Sequence, residues 1–197
     1  MFSGLFRKKA RPAVHVVKAQ LNARLQPMDR SEYFEEGLDD KLRATKTGEI
    51  VGGGTMQRET GEIEYCDIEM KLRGDSPADA ERMIVATLEA LGAPKGSKLE
   101  VGDENRVVPF GVNEGLAVYL NGTELPAEIY QRCKLEFVHA EFDRLLEGHG
   151  QVFSIWRGPT ETAFYIYGPS FDEMSKRLEG FLQTYPLCEK SRLERIA

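Results

Sequence analysis

The segment from Gly74 to Glu100 aligns without a gap onto Gly168 to Glu194, and this internal repeat limits the fold more than any other feature. Gly74/Gly168, Ser76/Ser170, Leu88/Leu182, Ser97/Ser191, Leu99/Leu193 and Glu100/Glu194 are identical. Each copy opens on a glycine. Ser76-Pro77-Ala78-Asp79 and Ser170-Phe171-Asp172-Glu173 then carry the serine-to-acid spacing of a helix-capping box. Apolar residues at helical spacing follow: Met83, Ile84, Thr87, Leu88 and Leu91 in one copy, Leu178, Phe181, Leu182 and Tyr185 in the other. A short strand closes each copy, Ser97 to Val101 and Arg192 to Ile196. Such self-similarity indicates one supersecondary unit used twice.

The residues ahead of each copy complete the unit. Val14 to Leu25 alternates, with Val17, Ala19, Leu21, Ala23 and Leu25 on one face and Lys18, Gln20, Asn22 and Arg24 on the other. Pro27 ends that strand. Asp29 or Ser31 is the expected cap of a helix carrying Tyr33, Phe34, Leu38 and Leu42, which Gly37 weakens by about 1 kcal/mol relative to alanine. Gly48 to Gly74 reads as two strands joined at Arg58-Glu59-Thr60-Gly61. Cys66, Ile68, Met70 and Leu72 face one way and Tyr65, Asp67, Glu69 and Lys71 the other. In the second part Leu116, Val118 and Leu120 alternate with Ala117, Tyr119 and Asn121. A long helix is expected from Pro126 to Gly148, then strands Gln151 to Arg157 and Thr162 to Tyr167.

The order βαββαβ thus occurs twice. The expectation is an α+β chain, a tandem duplication of ferredoxin-like units whose antiparallel sheets carry helices on one face. Residues 1–13 are expected to form a mobile N-terminal arm. Residues 14–102 would form the first unit, 103–114 a linker with an edge strand near Val107-Val108-Pro109-Phe110, and 115–197 the second unit.

Composition limits function. Net charge is −6, divided as −3 over residues 1–114 and −3 over residues 115–197, which opposes broad affinity for polyanions. No apolar run approaches the length of a membrane span. Cys66, Cys133 and Cys188 form no metal-like cluster and fit a reducing, cytoplasmic setting. Gly52-Gly53-Gly54-Thr55 continues into a strand rather than a helix, so it reads as a bulge and not as a phosphate loop. His139 and Asp143 read as a helix-surface pair. No Ser/His/Asp, Cys/His or HExxH arrangement stands in the chain, and no catalytic residue, metal ligand or cofactor is assigned.

Two sheet faces then remain as candidate contact surfaces. In the second unit Tyr119, Tyr165 and Tyr167 point away from the helices, and Trp156 joins them if Phe153 and Ile155 face the core. In the first unit that face is charged: Tyr65, Asp67 and Glu69 would lie beside Lys18 and Arg24. LAVYLNG and TAFYIYG loosely resemble the two short motifs of the RNA-recognition-motif family, which implies stacking of single-stranded bases. Ala117 stands where that family has an aromatic, and the basic-glycine start of its second motif is absent.

The expected function is non-enzymatic binding of a protein partner, or self-association, through an exposed sheet face, as in an immunity or regulatory module. The alternative is an enzyme or small-molecule-binding protein with a site between the halves, drawing on Tyr65, Asp67, Glu69 and Tyr165. Single-stranded RNA binding ranks below both.

Overall fold

The computed structural model describes residues 14–74, 77–102 and 105–197. The chain runs β1 (Val14–Leu21), α1 (Pro27–Arg30), a π-helical turn (Ser31–Glu35), α2 (Glu36–Thr45), β2 (Gly48–Gln57), β3 (Ile63–Arg73), α3 (Pro77–Ala90), β4 (Ser97–Val101) and β5 (Arg106–Phe110). It continues through β6 (Glu114–Asn121), α4 (Ala127–Arg132), α5 (Leu135–Leu146), β7 (Gln151–Arg157), β8 (Glu161–Gly168), α6 (Phe171–Thr184), a 3-10 turn (Pro186–Cys188) and β9 (Arg192–Arg195). One antiparallel sheet has the order β2-β3-β1-β4-β5 and the other β7-β8-β6-β9. Both contain the ferredoxin-like strand order, so the fold is α+β and duplicated. The expected N-terminal arm and Ser76 of the first capping box lie outside the described residues.

Strand parity sets the two cores. Val17, Ala19 and Leu21 of β1 and Cys66, Ile68, Met70 and Leu72 of β3 are buried beneath Phe34, Leu38, Leu42, Ile84 and Leu88. Leu116, Val118 and Leu120 of β6 pack with Val138, Phe142 and Leu146 of α5 and Met174, Leu178 and Leu182 of α6. Gly37 has a packing reason: an added Cβ would lie 3.2 Å from both methyls of Leu91, where α2 approaches the end of α3. Ser170 caps α6, its Oγ accepting from the Glu173 N–H at 3.3 Å, the serine half of the expected capping box.

Several boundaries differ from the expected ones. The first helix is capped by Gln26, whose N–H donates to Asp29 Oδ2 at 3.3 Å, because Pro27 itself is the first helical residue. The expected long helix after Pro126 is interrupted: Cys133 and Lys134 are extended, and α5 restarts at Leu135. Part of the expected linker belongs to the first sheet. Its Arg106–Phe110 pairs with β4 and sets Val108 opposite Leu99.

The bulge stands just ahead of the glycine run, which itself continues the strand with Gly52, Gly53 and Gly54 opposite Glu69, Ile68 and Asp67. The β2–β3 register slips between Ile50 and Gly52. Behind it the buried Arg30 donates to the Gly54 carbonyl at 2.8 Å and to Glu35 at 2.6 Å. A Cβ on Gly53 would come 2.6 Å from the Asp67 carbonyl oxygen and 2.9 Å from Arg30 Nη2, whereas one on Gly54 meets nothing. Gly53→Ala is expected to cost about 1–3 kcal/mol through overpacking. Gly54→Ala should stay within about 0.5 kcal/mol. Urea denaturation of the two variants checks the contrast.

Candidate functional site

The β1 strand ends at Leu21, and the chain runs on to Gln26 without further sheet pairing. Ala23 and Leu25 remain in the first core, so Arg24 is directed the other way. On the sheet that direction would be solvent. Past the sheet it is the helix-free face of the second sheet. The Arg58–Gly61 turn delivers the partner: Arg58 N–H donates to the Glu62 carbonyl at 2.8 Å, and Gly61 takes a left-handed φ of 79° that suits glycine. Glu62 is thereby held against the same face.

Three tyrosines of the second sheet meet this pair. In the β6–β8 register Tyr167 lies opposite Gly115, Tyr165 opposite Ala117, and Tyr119 opposite Ala163. Each ring thus has a small neighbour that leaves room for it. Glu62 Oε1 accepts from Tyr119 OH at 2.6 Å and from Tyr165 OH at 2.7 Å, and it also accepts from Arg24 Nη1. Arg24 Nη1 reaches Tyr119 OH at 2.6 Å, and the Arg24 N–H donates to Tyr167 OH at 2.8 Å. Ser154 Oγ donates to the Arg24 carbonyl. Around this hub Tyr33 and Phe34 pack on Phe153, which in turn meets Tyr167 edge-on at 5.3 Å.

Electrostatics fit a lock. Burial works against the charge on Glu62, yet the hydrogen bonds from Tyr119 and Tyr165, with Arg24 beside them, hold its carboxyl below the usual range. Burial, then the bond to Glu62, pushes the Tyr119 and Tyr165 hydroxyls upward. Burial also raises Tyr167. At neutral pH the hub is therefore one carboxylate and one guanidinium joined by neutral phenols. A general base needs a lone pair that substrate can reach. Glu62 Oε1 is occupied three times over, and these bonds join the two halves.

The expected exposed aromatic face is accordingly corrected. Tyr119, Tyr165 and Tyr167 do share one helix-free face, but they are buried because the Asn22–Phe34 stretch and Glu62 cover it. The same cover denies nucleic-acid bases the platform implied by the motif resemblance. Trp156 is half-buried and lies over Gly158, where any Cβ would meet its ring. The β-bulge between Val152 and Ser154 also turns Phe153 toward the other half, away from the core expected for it, while Ile155 keeps to the helix side.

Tyr65, Asp67 and Glu69 stand apart, on the helix-free face of the first sheet. Arg24 does not join them. Lys18 lies opposite Glu69 in register but pairs with Glu100 at 3.0 Å, and its Nζ is 3.9 Å from Asp67 Oδ2. Burial raises the Asp67 carboxyl, and its Oδ1 is buried without a hydrogen-bond partner. His139 Nε2 is 3.6 Å from Asp143 Oδ2, a one-turn helix pair. It lines a cleft of 1090 Å³ between the halves together with Asp29, Glu32, Tyr33, Asp143 and Glu147. Among the described residues no group of three or more His, Cys, Asp or Glu could hold a metal ion. No described helix is long and apolar enough to cross a membrane.

Arg24 and Glu62 carry the hub; the sequence reading set Arg24 on the charged face of the first sheet and passed over Glu62. One available signal was the set Gly115, Ala117 and Ala163 facing tyrosines, a small-against-large pattern that suits a packed face.

No protein-family model matches the chain, and no curated protein matches it. Solved structures of similar extent exist at low identity. A protein of unknown function from Galdieria sulphuraria is 8% identical, with 94% of this chain and 100% of that chain covered and a TM-score of 0.29. The first two RRM domains of the yeast poly(U)-binding protein are 13% identical over 92% and 99%, with a TM-score of 0.27. A putative monooxygenase from Fusobacterium nucleatum is 9% identical over 95% and 92%, with a TM-score of 0.31.

Removing the Glu62 carboxylate leaves the buried Arg24 with only Glu194, at 3.6 Å, as an ionic partner, and breaking a buried pair of this kind costs up to about 3–5 kcal/mol. Glu62→Gln keeps the shape and should lose stability at pH 7. Because the folded carboxyl is held below its unfolded value, its contribution is present above the unfolded value and fades as pH falls through the folded one. The gap in Tm between wild type and Glu62→Gln should therefore be constant from neutral pH to about pH 5 and narrow steadily below about pH 4. Melting curves across that range check the sign.

Proposed function

We propose that the protein acts by binding a protein partner, without catalysis of its own, through the helix-free face of the first sheet. One observation carries this reading. With the second sheet's face consumed by the lock, the first sheet's face has no described element packed on it, yet it bears apolar side chains. Val16 is 48% exposed and Val107 55%, and Val14, Met56 and Tyr65 share the same face. A solvated sheet face ordinarily alternates to polar residues, and a cluster of exposed apolar ones marks a contact surface.

The middle of that face is pre-arranged. Lys18 bridges Glu100 and Asp67 across three neighbouring strands, and Lys98 reaches Glu100 at 2.9 Å. These pairs fix the charged side chains between the valines at one end and Tyr65 with Met56 at the other. A partner would meet apolar ends and an ordered polar centre. The net charge of −6 favours a basic partner, in the manner of a neutralising or regulatory module.

A second reading has its own support. Asp29, Glu32 and Glu147 line the cleft between the halves without an ion pair to a described cation, which suits a small cationic ligand there.

Val16→Asp and Val107→Asp, both at exposed positions, should leave the melting temperature unchanged and weaken capture of the natural partner at least about tenfold, the scale of a central interface residue. Affinity purification from the native host with wild-type and variant baits measures this. Unchanged capture by both variants contradicts the reading. A polyamine that raises Tm for wild type but not for Glu32→Gln would favour the cleft instead.

A further inference from the structure

The repeat makes the two halves a control for each other. In the first half β5 covers the outer edge of β4, and its Val108 lies opposite Leu99, which is 0% exposed. A groove beneath β5 is lined by Glu81, Arg82, Val85 and Glu89 of α3. In the second half the corresponding residues are Ser175, Lys176, Glu179 and Gln183 of α6. They line a groove of 580 Å³ beside β9, whose outer edge is unpaired among the described residues. Leu193, the counterpart of Leu99, is 40% exposed and lines that groove. The second half thus carries the same seat with no described strand in it.

We propose that the occupant is a second copy of the chain, added antiparallel through β9 about a two-fold axis at Leu193. The backbone phase permits it. Ile196 N–H donates to the Gly115 carbonyl at 2.9 Å. Antiparallel ladders alternate, so Arg192 and Glu194 direct their main-chain groups at β6, and Leu193 and Arg195 direct theirs outward. Leu193 opposite its symmetry mate is then a pair that exchanges two N–H···O bonds.

Charge selects the register. With Leu193 on the axis, Arg192 of each copy faces Glu194 of the other, which gives two cross-strand ion pairs. A slip of two residues, the smallest that the hydrogen-bond phase permits, sets Glu194 or Arg192 opposite its own mate and repels. Short strands bearing charges usually guard an edge against pairing. Here the charges alternate about a single leucine, so they oppose the slipped register and favour the centred one. Each Leu193 would bury against its mate in the position that Val108 fills beside Leu99. The four-stranded sheet would continue across the axis, a two-fold contact of a surface with itself. Strands this short place the contact at the weak end of specific interfaces, about 1,200 Å² or less, with micromolar dissociation.

Sedimentation velocity from low micromolar to near-millimolar protein should reveal a reversible dimer. Leu193→Lys sets two ammonium groups together on the axis and should weaken dimerisation by about tenfold or more, with the monomer's Tm retained. Leu193→Pro removes the outward N–H while leaving the β6 ladder its bonds, and should abolish the dimer. Hydrogen exchange on the unmodified protein supplies an independent reading: the Leu193 and Arg195 amides should slow as concentration rises. A monomer at every concentration overturns the proposal. So does a dimer that is indifferent to both variants, or one that leaves these amides exchanging freely. This contact is separate from the first sheet's face, so Val16→Asp should leave the dimer intact even where it abolishes partner capture.

Discussion

Everything outward-facing in this protein follows from one buried ion pair. Arg24 and Glu62 come from the first half but complete their hydrogen bonding only with Tyr119, Tyr165 and Tyr167 of the second. An arginine and a glutamate taken out of water are tolerable only when paired and further hydrogen-bonded, so the halves cannot part cheaply. The tyrosines are amphipathic in the way the position demands. Their rings join the apolar contact with Phe153 and the Ala117 and Ala163 backbone stripe, while their hydroxyls reach the charges. The lock therefore fixes the arrangement of the halves and consumes one of the two free sheet faces. Which surface remains for a partner is decided there.

Sequence periodicity gave the framework readily. Alternation along Val14 to Leu25 and along Leu116 to Asn121, together with the repeated cap, helix stripe and closing strand, was sufficient for two βαββαβ units. The side of the second sheet that carries Tyr119, Tyr165 and Tyr167 was also legible, because a period of two assigns faces without knowledge of the partner. Whether a face is covered is a different question. It depends on contacts between residues far apart in the chain: Arg24 meets Tyr167 and Glu62 meets Tyr165, 143 and 103 residues apart. No local window contains that information.

The misplacement of Arg24 has a simple cause. Alternation continues past Leu21 while sheet pairing does not, so the polar side of the pattern passes from solvent to the other half. Phe153 escaped its expected side for a comparable reason, a single bulge that shifts parity by one residue. The fifth strand was legible as an edge strand around Val107–Phe110, but its membership of the first sheet was not, since so short a run does not signal its partner. Leu193 and Leu99 show the opposite case. Identical in sequence, they differ in burial because only one has a strand beside it.

Hydroxyl-radical footprinting read by mass spectrometry tests the central claim, that the aromatic face is closed and the first sheet's face is open. Tyr119, Tyr165 and Tyr167 should be protected in the native protein and become reactive only on unfolding, while Met56 and Tyr65 are labelled in the folded state. Native labelling of the three tyrosines as heavy as that of Tyr65 would contradict the lock, and with it the assignment of the contact surface.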